Sequence, residues 1–240
     1  MGVVHAATEY TQRYVVGMSI DQIGLLRHVH YEKPLWWNTD YFQAIQMQPE
    51  EVIQTIADFR PGPHILGIVT TDTDAAIASY AVLGYKPMSG KAEPLMAKRL
   101  TGFVRETSQY VVQQVENEEQ RLFFNSVIDP DDPHGQIQPQ ELQDAHLHFY
   151  FVEQDNKCVC NGKAIQPFPA AVVVEPLRTD EAYRRRGIAS ALMSCVHADA
   201  IEKGAVECVI MASPMGERLY SALGYEIVGY HQSFVPKDWF

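Results

Sequence analysis

The chain has 240 residues, room for one large domain or two small ones with an ample core. Apolar residues make up 46% and charged residues 20%, the balance of a globular chain. The net charge of −11 excludes the broad basic surface that nucleic acid requires, and no apolar run reaches the ~18 residues of a membrane span.

The opening stretch Met1 to Tyr10 lacks a basic segment followed by an apolar one, so no signal peptide is expected. Spacing then predicts helices over Asp21–Tyr31 and Pro49–Phe59. His28 and His30 lie two apart, poor geometry for a helical metal pair, with no matching carboxylate evident, and no metal site is expected. Trp36-Trp37 reads as a core or inter-domain contact. His64 to Val69 is a strand candidate. Thr70 to Ala78 follows it, then Ser79-Tyr80-Ala81-Val82-Leu83-Gly84-Tyr85, and a further strand runs from Pro94 to Arg99. Ser89-Gly90-Lys91-Ala92 lacks the hydroxyl and the earlier glycine of a phosphate loop.

A boundary is placed near Leu100-Thr101-Gly102. Ser108 to Phe124 reads as a helix with a glutamate-rich face, and Asp129 to Gly135 as a turn-rich loop. Ala145 to Val152 is a strand candidate that carries His146 and His148. It is followed by a turn at Asp155-Asn156-Lys157 and a strand from Cys158 onward. Cys158 and Cys160 would point the same way on that strand, too strained for an easy disulfide. Cys195 and Cys208 fall in apolar patterns. This is the cysteine usage of a reducing compartment, so a cytoplasmic location is expected.

The last hundred residues carry the chemistry. The apolar run Ala170 to Val174 leads into Arg184-Arg185-Arg186-Gly187-Ile188-Ala189-Ser190, which opens an amphipathic helix through Val196 that stops near Lys203-Gly204. A helix start leaves free N–H groups and partial positive charge, an anion site, and Gly187 lets a phosphate approach without a Cβ in the way. Val206 to Met211 is the next strand. Ser213-Pro214 then reads as N-cap and first residue of a short helix that ends at Gly224, before a strand from Tyr225.

The order strand, R-x-x-G-x-A, helix, strand, A-S-P-x-G-x-x-L-Y-x-x-L-G-Y, strand resembles the GNAT superfamily of acyl-CoA-dependent N-acyltransferases over roughly residues 101–240. The Y-x-x-L-G-Y of Tyr80 to Tyr85 repeats that of Tyr220 to Tyr225, 140 positions on. The expected fold is therefore α/β (α+β), two GNAT-like domains in tandem. Residues 1–100 would be a degenerate copy without a CoA loop, and 101–240 the catalytic domain.

The resemblance implies acetyl-CoA as co-substrate and an amine as acceptor. Arg184, Arg185, Arg186, Gly187, Ile188, Ala189 and Ser190 would cradle the diphosphate, and Leu177, Arg178 and Thr179 would pair with the pantetheine arm, with Ser213 also on the cofactor side. It implies that Tyr220 protonates the leaving thiolate. Glu175, after three apolar residues and 12 positions before Gly187, is a candidate base. The alternatives are a strand-end glutamate paired with Arg178, His146 or His148 as base, or a water relay. The expectation is an N-acetyltransferase working by direct attack in a ternary complex, as monomer or homodimer, with neither nucleic acid nor membrane as partner. The alternatives are an acyl-CoA sensor without turnover and an interaction protein.

Overall fold

The computed structural model describes residues 18–35, 38–44, 46–105, 107–130, 132 and 135–238. Trp36-Trp37, His134 and the first ten residues lie outside them.

The chain builds one large, mostly antiparallel sheet. Its strands are β1 (Met18–Ile23), β2 (Leu26–Leu35), β3 (Asn38–Ala44), β4 (Ile65–Thr70), β5 (Tyr85–Pro87), β6 (Glu93–Arg99), β7 (Val112–Gln114), β8 (Leu147–Gln154), β9 (Lys157–Phe168), β10 (Ala171–Thr179), β11 (Glu207–Met211) and β12 (Glu226–Pro236). The order across the sheet is β1-β2-β3-β4-β12-β6-β11-β10-β9-β8-β7, with β5 also on β12. Among the described residues, five α-helices cover it: α1 (Pro49–Phe59), α2 (Thr73–Val82), α3 (Glu118–Asn125), α4 (Ile188–Glu202) and α5 (Pro214–Ala222).

The strand order shows a reciprocal exchange. Among the described residues, each half has one parallel pair, β3 with β4 and β10 with β11. The antiparallel partner of β4 is β12, from the end of the chain. The antiparallel partner of β11 is β6, from the first hundred residues. The strand after each Y-x-x-L-G-Y then flanks the exchanged one, β5 on β12 and the start of β12 on β6. The fold is thus two similar units laced through each other's sheets.

Three apolar clusters hold it. Leu192, Val196, Cys208, Val174 and Tyr220 pack under α4 and α5. Phe149, Phe151, Val173, Leu95 and Phe124 fill the opposite face. Phe42, Leu66, Ile56, Tyr80 and Phe234 close the first unit. Phe234 of β12 sits in that last cluster, so the exchange is cemented by side chains as well as by the backbone ladder.

Two expected helices are not there. Asp21–Tyr31 is the β1–β2 hairpin, turned at Gly24-Leu25 with Ile23 opposite Leu26. Leu26 and His28 are buried on one side of β2 and Arg27 and Val29 on the other, so no polar–apolar alternation marks the strand. Ser108 to Phe124 divides into β7 and α3, because the β-branched Val111-Val112 extends and Asn117 caps a new helix by accepting from Gln120 N at 3.0 Å. Cys158 and Cys160 do not point the same way. A bulge that sets Val152 opposite Cys160 and Glu153 opposite Cys158 sends the two thiols to opposite faces. All four cysteines are free and buried.

Candidate functional site

The site begins where two parallel strands part. β10 and β11 pair only from Ala171↔Glu207 to Val173↔Val209, although β10 runs on to Thr179. A bulge between Val174 and Leu177 turns β10 away, and β9 alone continues beside it. Leu177, Arg178 and Thr179 therefore lie on a strand whose other edge has lost its partner, which leaves backbone groups for an extended ligand arm.

At the mouth of this gap stands the N-terminus of α4. Gly187 is its N-cap, in the left-handed region at φ +82, and no side chain caps the helix. The first helical acceptor in use is Gly187 O, from Ala191 N at 3.0 Å, so the N–H groups of Ile188, Ala189 and Ser190 point outward. A Cβ built on Gly187 meets nothing within 4 Å, which marks open space. No acidic residue sits in the first turn, so the helix dipole there is uncompensated.

The arginines around this loop divide their work. Arg184 Nε donates to Thr179 O at 3.1 Å and Arg186 to Ala182 O at 2.8 Å, and both brace the loop. Arg186 also stacks over Tyr183, and its carbonyl accepts from Tyr110 Oη at 2.9 Å. Arg185 is exposed at φ +64, a strained conformation for an arginine. Arg178 does not pair with Glu175. It reaches Asp132 at 2.6 Å and pins the turn-rich loop against β10. Ser213 accepts from Gly216 N at 3.1 Å, so its hydroxyl is committed to capping α5.

Tyr220 projects from α5 into the cluster under α4, and its hydroxyl has no hydrogen-bond partner among the described residues. Burial first, then the nearby Cys208, Cys160 and Glu175, push its phenol far up, so it keeps its proton throughout the neutral range. Glu175 sits at the parting of the strands, and its carboxyl is raised chiefly by desolvation, next by Glu93. His231 and Lys163 act the other way on it. His146 and His148 stand apart from this gap. His146 bonds to Gln166 O at 3.0 Å, and His148 is held neutral by burial, its pKa lowered to about 4.

The first unit has the same frame with other contents. Its corresponding helix, α1, begins with Pro49, Glu50 and Glu51. One N–H is missing and two carboxylates already occupy the positive end of the dipole, which opposes a phosphate. Tyr80 is a packing residue against Phe234, with ring centroids 4.7 Å apart. His28, His30 and Asp40 converge within 4.8 Å. The carboxylate invisible in the sequence is Asp40, across the strand pair from both histidines. Its Oδ1 already takes His28 at 2.7 Å, His30 at 3.0 Å and Arg60 at 2.9 Å, which supplies the cation.

The sequence profile of the acetyltransferase (GNAT) domain matches residues 106–235, more than half of the chain and the whole of the α4–α5 gap. The chain belongs to the GNAT acetyltransferase family. Two solved structures show the same fold over nearly the full length. A GCN5-related N-acetyltransferase from Kribbella flavida superposes with a TM-score of 0.67 at 17% identity, over 97% of this chain and 94% of that one. A tandem GNAT protein from the clavulanic acid biosynthesis pathway superposes with a TM-score of 0.64 at 9% identity, over 95% and 86%. No curated protein sequence gives a significant match. The GNAT fold in tandem form thus accounts for both parallel strand pairs. Among the described residues, no helix is long and apolar enough to cross a membrane.

Proposed function

We propose that this GNAT chain is an acetyl-CoA-dependent N-acetyltransferase whose acceptor is a primary amine, with 101–240 as the catalytic unit and 1–100 as a degenerate unit that holds no CoA. The observation that carries the reading is the uncapped N-terminus of α4 facing the free edge of β10. A diphosphate fits the N–H groups of Ile188, Ala189 and Ser190 with Gly187 beneath it, and exposed Arg185 adds charge. The pantetheine arm would run along Leu177, Arg178 and Thr179, with Ser213 at the facing helix start.

This brings the thioester to the gap between Glu175 and Tyr220. The amine nitrogen attacks the thioester carbonyl carbon and gives a proton to the Glu175 carboxylate. The carbon–sulfur bond then breaks, and Tyr220 donates its proton to the departing sulfur. Glu175 suits the first role because desolvation raises its affinity for a proton toward the working range. Tyr220 suits the second because its proton is retained until a thiolate is formed. Every cysteine is buried, and Cys160 and Cys208 are driven up to about 12, so attack by the amine itself is favoured over an acyl-cysteine route.

Calorimetry of acetyl-CoA with the wild type and with Gly187→Glu tests the reading. Micromolar binding that disappears in the variant supports it. No binding to the wild type removes both the enzyme and the sensor readings, and binding without thiol release to any amine leaves the sensor.

A further inference from the structure

The metal geometry that a helix denies to His28 and His30 is open to them on a strand. Both lie on β2, where a spacing of two sends both imidazoles to one face. Asp40 of β3 stands directly opposite His30 in the antiparallel ladder, so its carboxyl joins them on that face. One ligand atom from each of the three residues lies within 4.8 Å of the others.

The contacts inside this cluster call for a cation. Asp40 Oδ1 alone faces three nitrogens, His28 Nε2 at 2.7 Å, His30 Nδ1 at 3.0 Å and Arg60 Nε at 2.9 Å. One oxygen has two lone-pair directions, so three donors overfill it. The other nitrogen of His28, Nδ1, lies 3.3 Å from Asp21 Oδ2 of β1. A carboxylate on Nδ1–H fixes the tautomer whose Nε2 carries a lone pair, and it is the usual outer partner of a metal-bound histidine. That lone pair then faces Asp40 Oδ1, an opposition that a shared cation relieves.

The walls and the entry suit an ion as well. Phe42 stacks on His28 with centroids 4.7 Å apart, and Phe59 meets it edge-on at 5.2 Å. The His28 side chain is wholly buried, and that of Asp40 nearly so, while that of His30 is 26% exposed and gives the way in. Arg60 reaches Asp40 from the end of α1, and its side chain is 47% exposed, free to withdraw into water. Two imidazole nitrogens and one carboxylate oxygen form a borderline donor set. It selects Zn²⁺ and its neighbours over Mg²⁺ and Ca²⁺, which take oxygen ligands.

We propose that His28, His30 and Asp40 form a zinc site in the first unit, with Asp21 as the outer partner of His28 and Arg60 as the competitor that the ion displaces. The ion ties β2 to β3 and, through Asp21, draws in β1 at the end of the strand order. This edge lies far along the sheet from the β10–β11 gap, and the proposal does not rest on the acyl-transfer reading.

The test uses the full chain, stripped of metal with a chelator, with Co²⁺ and Zn²⁺ as probes. Co²⁺ should give visible d–d absorption that stoichiometric Zn²⁺ abolishes, and the thermal midpoint should rise with Zn²⁺ concentration. His30→Ala, at the partly exposed ligand, should remove both signals. Asp21→Asn keeps all three ligands and should weaken Zn²⁺ binding about 10- to 100-fold. Arg60→Met removes the competitor and should tighten it.

No Co²⁺ absorption in the wild type overturns the proposal, and so does absorption that survives in His30→Ala. Near-UV circular dichroism checks that His30→Ala is folded. Should it fail to fold, the opposite displacements in Asp21→Asn and Arg60→Met decide the matter. Affinities that stay unchanged, or that move together, overturn the site.

Discussion

Tyr85 and Tyr225 hold the same place in two copies of one unit. Each closes a Y-x-x-L-G-Y segment, and each hydroxyl meets a buried histidine, His64 at 2.8 Å and His197 at 2.6 Å. His64 Nδ1 is tied to Gly62 O at 2.7 Å, so Nε2 accepts and Tyr85 donates. The histidines come from different elements, one just before β4 and the other on α4. The repeat therefore preserves a contact while changing its supplier. It also preserves the neighbouring aromatic, since Tyr80 and Tyr220 lie 6.3 and 5.5 Å from their partner rings.

The strand exchange predicts that neither unit folds alone. A fragment 101–240 lacks β4, β5 and β6, so β11 loses its antiparallel partner and β12 loses the strands on both its sides. Leu95 and Met96 also leave two different apolar clusters. Expressed alone, this fragment should show no cooperative thermal transition and weak near-UV circular dichroism. Mixed with 1–100, it should regain both. A sharp melt of the isolated fragment would contradict the prediction.

The parts legible in the sequence are those fixed locally. Ser213-Pro214 announced α5 because cap and first turn are chemistry of adjacent residues. Gly204, at φ +95, ends α4 as its sequence position implied. The β1–β2 hairpin was hidden because both faces of β2 are buried. The exchange was hidden because the choice between two antiparallel partners is made by tertiary packing. The contact of Tyr41 Oη with His231 Nε2, at 3.0 Å, joins residues 190 positions apart, beyond any local pattern. One signal did exist: Gly67 interrupts the apolar strand Ile65–Val69, and a glycine inside a strand marks a close approach.

Gly187→Glu should abolish acetyl-CoA binding while leaving the fold in place. The position is exposed with open space at Cβ, so the local cost is the left-handed backbone, about 1 kcal/mol. Gly187→Ala carries the same backbone cost without the charge and should weaken binding far less. Equal losses in the two variants would assign the effect to loop strain rather than to repulsion of phosphate.

Tyr220→Phe removes one oxygen from a buried ring and keeps its packing. The maximal rate should fall roughly 10²-fold with acetyl-CoA affinity nearly intact. Since the phenol is pushed up by burial, the wild type should show no alkaline loss of activity from Tyr220 below pH 10. Unchanged turnover in the variant would remove the tyrosine from the reaction.

His197 makes stability depend on acid. It is 1% exposed, and desolvation, then Lys98, lowers its pKa to about 4 from an ordinary 6.5. The unfolded chain binds the proton more readily than the native one, so stability is present in full above pH 6.5 and falls as pH drops toward 4. The shift corresponds to about 3 kcal/mol at the low end, before relaxation of the site. His197→Gln retains polar contact with Tyr225 but cannot titrate. Its melting temperature should start lower at pH 7.5, through the altered hydrogen bond, and decline less steeply between pH 6.5 and 4.5. Parallel slopes for the two proteins would mean that His197 opens to solvent before it is protonated, and that acid lability arises elsewhere.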